Sequence, residues 1–226
     1  MKVGKSIFPR TLTFALSLVI VLAAAQAQAI ITTYSSRDTF DAAFPSASVE
    51  NWDSFPSGTV LVNGGTYNGI TYNVLTPGAD PPGNALVTRL PIPTTETNSL
   101  GQSLDGFFYP QDSVTFNFAT PIRAFGIDIS TFATANGTYV ATTDRGDVAL
   151  SVFNFFPGYG TGQFLGFSSN VEFSWVIISS ADPININNAF TLDTMRYYIP
   201  LPPTLLLFGS GLAGLVLWRL RKRSKA

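Results

Sequence analysis

The sequence predicts an all-β fold: an antiparallel β-sandwich or jelly roll with one short N-terminal helix, flanked by an N-terminal signal helix and a C-terminal transmembrane helix. Three observations lead there. Between Ile30 and Tyr198 apolar residues recur with period two, as in Val114-Thr-Phe116-Asn-Phe118, and helical periodicity has almost nowhere to fit. Turn signals such as Asn63-Gly64-Gly65, Asn68-Gly69, Asn136-Gly137 and Pro157-Gly158 break these runs at short intervals. The long apolar runs stand at the two chain ends, each beside basic residues.

Residues 1–29 have the three parts of a secretory signal peptide. Lys2, Lys5 and Arg10 precede an apolar stretch from Thr11 to Ala25, and Ala27-Gln28-Ala29 supplies the small-x-small exit. Cleavage after Ala29 is expected, with the Sec translocon as the first partner. The exported domain then spans 30–199. Its one helix runs from Ser36 to Phe44, with Ser35 or Ser36 as N-cap, Asp38 in the first turn, Phe40 and Phe44 on one face and Pro45 as stop. A Glu-bearing strand (VENWDSF) and NGITYNV follow, then a turn-rich loop from Pro77 to Gly101. Two alternating runs come next (SVTFNFATPIRAFGIDI), followed by Val148 to Val152, by Val171, Phe173, Trp175 and Ile177, and by a last strand, FTLDTMRYY.

Charge is divided sharply along the chain. The middle holds five arginines, no lysine and all fourteen acidic residues, so its formal charge is −9 against −1 for the whole. Such a domain is no partner for nucleic acid, which needs clustered cations to displace counterions. Cysteine and histidine are absent, which removes disulfides, zinc sites and His-based catalysis. No Ser lies in a G-x-S-x-G elbow, and no glycine-rich phosphate loop is followed by a lysine. A non-enzymatic role is expected.

Residues 200–226 begin with Pro200-Leu201-Pro202-Pro203 and end in a basic cluster with Arg219, Arg221 and Arg223. The apolar run between, Thr204 to Trp218, makes about 22 Å of helix, against a hydrocarbon core of about 30 Å. Flanking residues extend the expected transmembrane helix to about 203–220, while Gly209 and Gly211 weaken it and the basic tail, 219–226, stays cytoplasmic. A proline motif, the core LLLFGSGLAGL and a terminal basic cluster resemble the PEP-CTERM sorting signal, a tail also named ice-binding-protein C-terminal domain. Here Pro-Leu-Pro-Pro stands where that family usually has Pro-Glu-Pro. The resemblance implies a Gram-negative bacterium, transient residence in the inner membrane, recognition by an exosortase-type sorting protease, and delivery to the outer surface or exopolysaccharide matrix. The segment order of the domain loosely resembles carbohydrate-binding-module-like sandwiches found ahead of such tails.

Two candidate sites stand out in the domain. Glu50 and Asp193, on an early and on the last strand, could share a structural calcium ion; their alternative role is as solvent-facing positions or turn caps. Tyr109 and Tyr159 lie in aromatic loops, Gly106 to Pro110 and Asn154 to Gly160, where exposed rings would stack on sugars and buried ones would plug the core. Arg145-Gly146-Asp147 reads as a tight turn between strands. Three roles remain open: a structural or adhesive surface protein, a carbohydrate-binding module, or a permanently anchored domain facing the periplasm.

Overall fold

A computed structural model describes residues 29–77, 83–89, 98–102, 105–131, 137–152, 163–184 and 189–201. The signal helix and the transmembrane helix expected at the ends lie outside these residues. Among the described residues no helix is long and apolar enough to cross a membrane.

Chain order is β1 (Ile31–Tyr34), α1 (Arg37–Ala43), β2 (Ser48–Glu50), β3 (Val60–Leu61), β4 (Thr66–Tyr67), β5 (Ile70–Leu75), β6 (Ala85–Thr88), β7 (Ser99–Gln102), β8 (Ser113–Thr131), β9 (Gly137–Thr143), β10 (Gly146–Val152), β11 (Phe164–Ser180) and β12 (Phe190–Tyr198). Every strand pairing among them is antiparallel. Expected turns fall into place. Asn68-Gly69, at φ 51 and 80, closes the two-residue hairpin of β4 and β5, a geometry that wants positive φ at both positions. Arg145 lies in the tight turn that joins β9 to β10, as read from the sequence.

The two long strands organise the fold. The first part of β8, Ser113 to Phe118, pairs with β5 and with the end of β11; its last part, Ala124 to Thr131, pairs with β12 and with the start of β11. β9 and β10 extend the first half, β1 joins β11 in the second, and β2 and β7 lie along β12 with β6 and β3 beyond. The halves close face to face on one core, in which the Phe116 and Phe125 rings lie 6.1 Å apart. This is the expected sandwich, built from one bent sheet.

Three readings of the sequence need correction. The stretch read as a loop from Pro77 to Gly101 contains β6 and most of β7, which pair with each other, and β6 pairs with β3 as well. SVTFNFATPIRAFGIDIST is one 19-residue strand, not two runs. Its core-facing residues switch from even positions (Val114, Phe116, Phe118, Ile122) to odd ones (Phe125, Ile127, Ile129), with Ala119 to Pro121 exposed where pairing lapses. In β11, Phe173 faces the core, but irregular pairing on either side of it brings Val176 and Ile178 inward and leaves Trp175 and Ile177 half-buried.

The helix forms as read. Ser36 caps it, its hydroxyl accepting from Thr39 N–H at 3.3 Å. Phe40 is buried on the outer face of the sheet against Phe164 and Ala124. Gly126 and Gly166, opposite each other across β8 and β11, leave the slot that the Phe164 ring fills; a Cβ on either would collide with that ring.

Candidate functional site

Both ends of the domain are fixed to the sheet. Ile30 N–H donates to Asn170 Oδ1 at 2.8 Å, and Asn170 N–H donates back to the Ile30 carbonyl at 3.3 Å. Ordered pairing therefore begins one residue beyond Ala29; Ala27 lies outside the described residues. At the other end, Arg196 Nε donates to Asp41 Oδ1 at 2.6 Å, and the Tyr198 ring packs on Phe44 at 5.2 Å. Pro200 is half-buried and Leu201 is exposed. The sorting-motif residues Pro202, Pro203, Gly209, Gly211, Arg219, Arg221 and Arg223 lie outside the described residues. The last strand thus reaches to within two residues of the proline motif, with no spacer.

Glu50 and Asp193 occupy neighbouring strands but serve separate networks. Glu50 lies opposite Met195, on the core side. Its Oε1 accepts Trp52 N–H at 2.9 Å and its Oε2 accepts Asn68 Nδ2 at 2.7 Å. Burial, with a smaller contribution from Glu50, drives the nearby Tyr72 hydroxyl well above its usual pKa. Asp193 lies opposite Asp128 across β8 and β12, on the face that α1 covers. There Arg37 forms an ion pair with Asp128 and feels the charge of Asp193. A register break after Asp193, with Thr194 at φ 45, separates the two faces. The structure therefore does not bring Glu50 and Asp193 together as one cation cage. Among the described residues no three acidic side chains cluster as a metal site.

The loop from Gly106 to Pro110 divides its aromatics. Phe108 is a core plug whose backbone pairs with Phe190 at 2.8 and 2.9 Å. Tyr109 is half-buried, and its hydroxyl donates to the Asp105 carboxylate, a bond that raises the tyrosine pKa. Tyr159 lies outside the described residues. A polar group that sequence reasoning missed adjoins this loop. Asp112 Oδ2 accepts Tyr109 N–H at 2.7 Å, and Gln102 Nε2 donates to the Thr76 hydroxyl at 2.6 Å beside it. Burial holds the Asp112 pKa above the usual range, against a smaller lowering by Tyr109 N–H and the Thr76 hydroxyl. A mostly apolar cleft of about 190 Å³ between β1, β10 and β11 is smaller than the roughly 300 Å³ at which ligand pockets begin.

Residues 199–222 match the family model of the PEP-CTERM protein-sorting motif, as the sequence resemblance implied. A signal of this kind marks a chain for export and surface sorting. No curated protein matches the chain. Among solved structures, a cycloisomaltooligosaccharide glucanotransferase from Paenibacillus sp. is similar at 14% identity and TM-score 0.37, over 66% of this chain and 18% of that one. The catalytic domain of a GH87 alpha-1,3-glucanase is 12% identical at TM-score 0.34, over 69% of this chain and 28% of that one. GH31 CBM32-2 bound to GalNAc is 13% identical at TM-score 0.27, over 68% and 97%.

Proposed function

We propose that the chain is an exported, non-enzymatic surface protein, delivered by its C-terminal signal to the cell surface or exopolysaccharide matrix, where the β-sandwich has a structural or adhesive role. The observation that carries this reading is the junction: β12 ends at Tyr198 and the sorting-motif match begins at Ile199. The Sec translocon and an exosortase-type protease are the partners it calls for, with transient passage through the inner membrane. Cleavage after Ala29 would turn Ile30 N into an ammonium group already facing Asn170 Oδ1, strengthening that hydrogen bond. Intact-mass analysis of the native protein by cell fraction tests the proposal. Loss of residues 1–29 together with a cut near Pro200 is the expected result. Recovery of Ala226 in the inner membrane alone would instead make the tail a permanent anchor.

A second reading, a carbohydrate-binding module, draws on Tyr109. Its ring keeps an open surface and its hydroxyl stands on a carboxylate, a combination suited to stacking on a sugar and hydrogen-bonding its hydroxyls. Glycan arrays with and without calcium should then show binding that Tyr109→Ala abolishes. Binding by neither protein under either condition leaves the structural role.

A further inference from the structure

Thr76, Gln102 and Asp112 come from three separate stretches of chain: the end of β5, the end of β7 and the approach to β8. Gln102 and Asp112 are each 1% exposed. The amide nitrogen of Gln102 is spent on the Thr76 hydroxyl, and one oxygen of Asp112 is spent on Tyr109 N–H. Gln102 Oε1 and Asp112 Oδ1 are left over, both buried and neither with a hydrogen-bond donor. The Thr76 hydroxyl, close enough to act on both side chains, adds a third oxygen. Among the described residues no ion pair reaches this corner. The domain has no lysine; Arg37, Arg123, Arg145 and Arg196 pair with acids elsewhere, and Arg89 is exposed just beyond β6. Asp105 nearby makes the corner more negative still. Two stranded acceptors facing away from water form a site that attracts a cation. Gly83 borders it: a Cβ there would stand 2.7 Å from Gln102 Nε2 and 3.1 Å from Thr76 Oγ1.

We propose that Asp112 Oδ1, Gln102 Oε1 and Thr76 Oγ1 bind a calcium ion, with water completing its shell. The donors are all hard oxygens, which excludes the softer transition metals as preferred occupants. They come from flexible side chains with no octahedral frame, which favours calcium over magnesium. Three protein donors with one direct carboxylate place the site among weak extracellular calcium sites, with Kd of about 10⁻⁴ to 10⁻³ M. The ion would tie the end of β7 to the loop that carries Tyr109. The inference stands on these residues alone and holds whether or not Tyr109 meets a glycan.

The test is calorimetric titration of the full chain in detergent micelles with calcium chloride, and thermal unfolding with about 5 mM calcium, magnesium or chelator. One ion per chain and a Tm several degrees higher in calcium than in magnesium are expected. Asp112→Asn should weaken binding about tenfold or more and erase that gain, while Asp147→Asn, exposed at the start of β10, should leave both intact. An absence of heat and of any Tm shift in the parent protein would assign the two oxygens to a bridging water and overturn the proposal. Calcium binding by Asp112→Asn as tight as the parent's would overturn it too. If Asp112→Asn does not fold, Thr76→Val decides, with affinity weakened about tenfold expected and unchanged affinity fatal.

Discussion

Arg37 shows what a single charge does here. It reaches from α1 to Asp128, which is buried, opposite Asp193, which is also buried. Burial lowers its pKa, and the Arg196 charge lowers it further, yet a guanidinium starts so high that it stays charged at neutral pH. Removing it takes the ion-pair partner from the buried Asp128 and a nearby positive charge from Asp193, so Arg37→Ala should lose about 3 kcal/mol in urea unfolding. A loss under about 0.5 kcal/mol would mean that the pair adds nothing over its desolvation. Asp112 makes the opposite case. Its pKa is raised above 3.8 by burial, so the folded state holds the proton more tightly than the unfolded chain. Stability from this group is therefore greatest below the usual carboxylate value and falls as pH rises through its raised folded value. In chelator, Asp112→Asn should match the parent near pH 3.8 and be the more stable of the two at pH 7; added calcium should reverse that order. Little of this was legible in the sequence. Asp112, Gln102 and Thr76 look like ordinary turn and strand residues until folding brings three distant segments together. Glu50 and Asp193 looked like a pair because they stand on an early strand and on the last one; those strands do pair, but the register break after Asp193 puts the two on different faces.

At the scale of elements, legibility followed locality. The helix could be read because all its signals lie within ten residues: Ser36 at the cap, Phe40 on the buried face, Pro45 beyond the end. Ser36→Ala should therefore cost about 1 kcal/mol, less than any core truncation. The Asn68-Gly69 hairpin and the whole of β12 were readable for the same reason. β8 was not. Its alternation changes parity and so reads as two runs; Pro121, between them, falls in an exposed lapse of the ladder, where a missing N–H costs nothing. The change of core-facing parity in β8, and the irregular pairing in β11, depend on how the sheet bends rather than on any residue type. Gly126 and Gly166 were open to a partial reading, since glycine inside a strand signals close approach by something. The structure supplies the ring of Phe164, sandwiched between the glycine pair and Phe40. Gly126→Ala should cost about 1 to 3 kcal/mol by expelling that ring and loosening α1. The double change Gly126→Ala/Phe164→Leu should cost less than the sum of its parts, because the smaller side chain vacates the space that the new methyl needs. Additive losses would show that the clash is relieved elsewhere.

The whole molecule joins a folding problem to a sorting problem at one strand. β12 is interior: β8 pairs with one edge of it, and β2 and β7 pair along the other. Met195 is in the core, Tyr197 packs on Phe118 at 5.1 Å, and Arg196 is tied to Asp41 of α1. The segment that matches the sorting motif starts at the next residue after Tyr198. A signal set so close to a structural strand must be readable without unravelling it, and the half-buried Pro200 and exposed Leu201 leave little chain between the sheet and the rest of the signal. Folding of the domain should thus be independent of everything after Leu201 and wholly dependent on what lies before it. A chain ending at Leu201 should unfold within about 2 °C of the full chain, since no described contact is lost. A chain ending at Leu192 should fail to fold, because it exposes edges of β8 and β2 and deletes Met195 from the core. The longer truncate, expressed in the native cell, should appear as folded protein that is exported but not retained at the surface. If it is retained as well as the parent, surface attachment belongs to the β-sandwich itself, and adhesion rather than sorting is what keeps the protein there. If the Leu201 chain is markedly destabilised, the tail is part of the fold, and a protease that removes it would release a weakened domain.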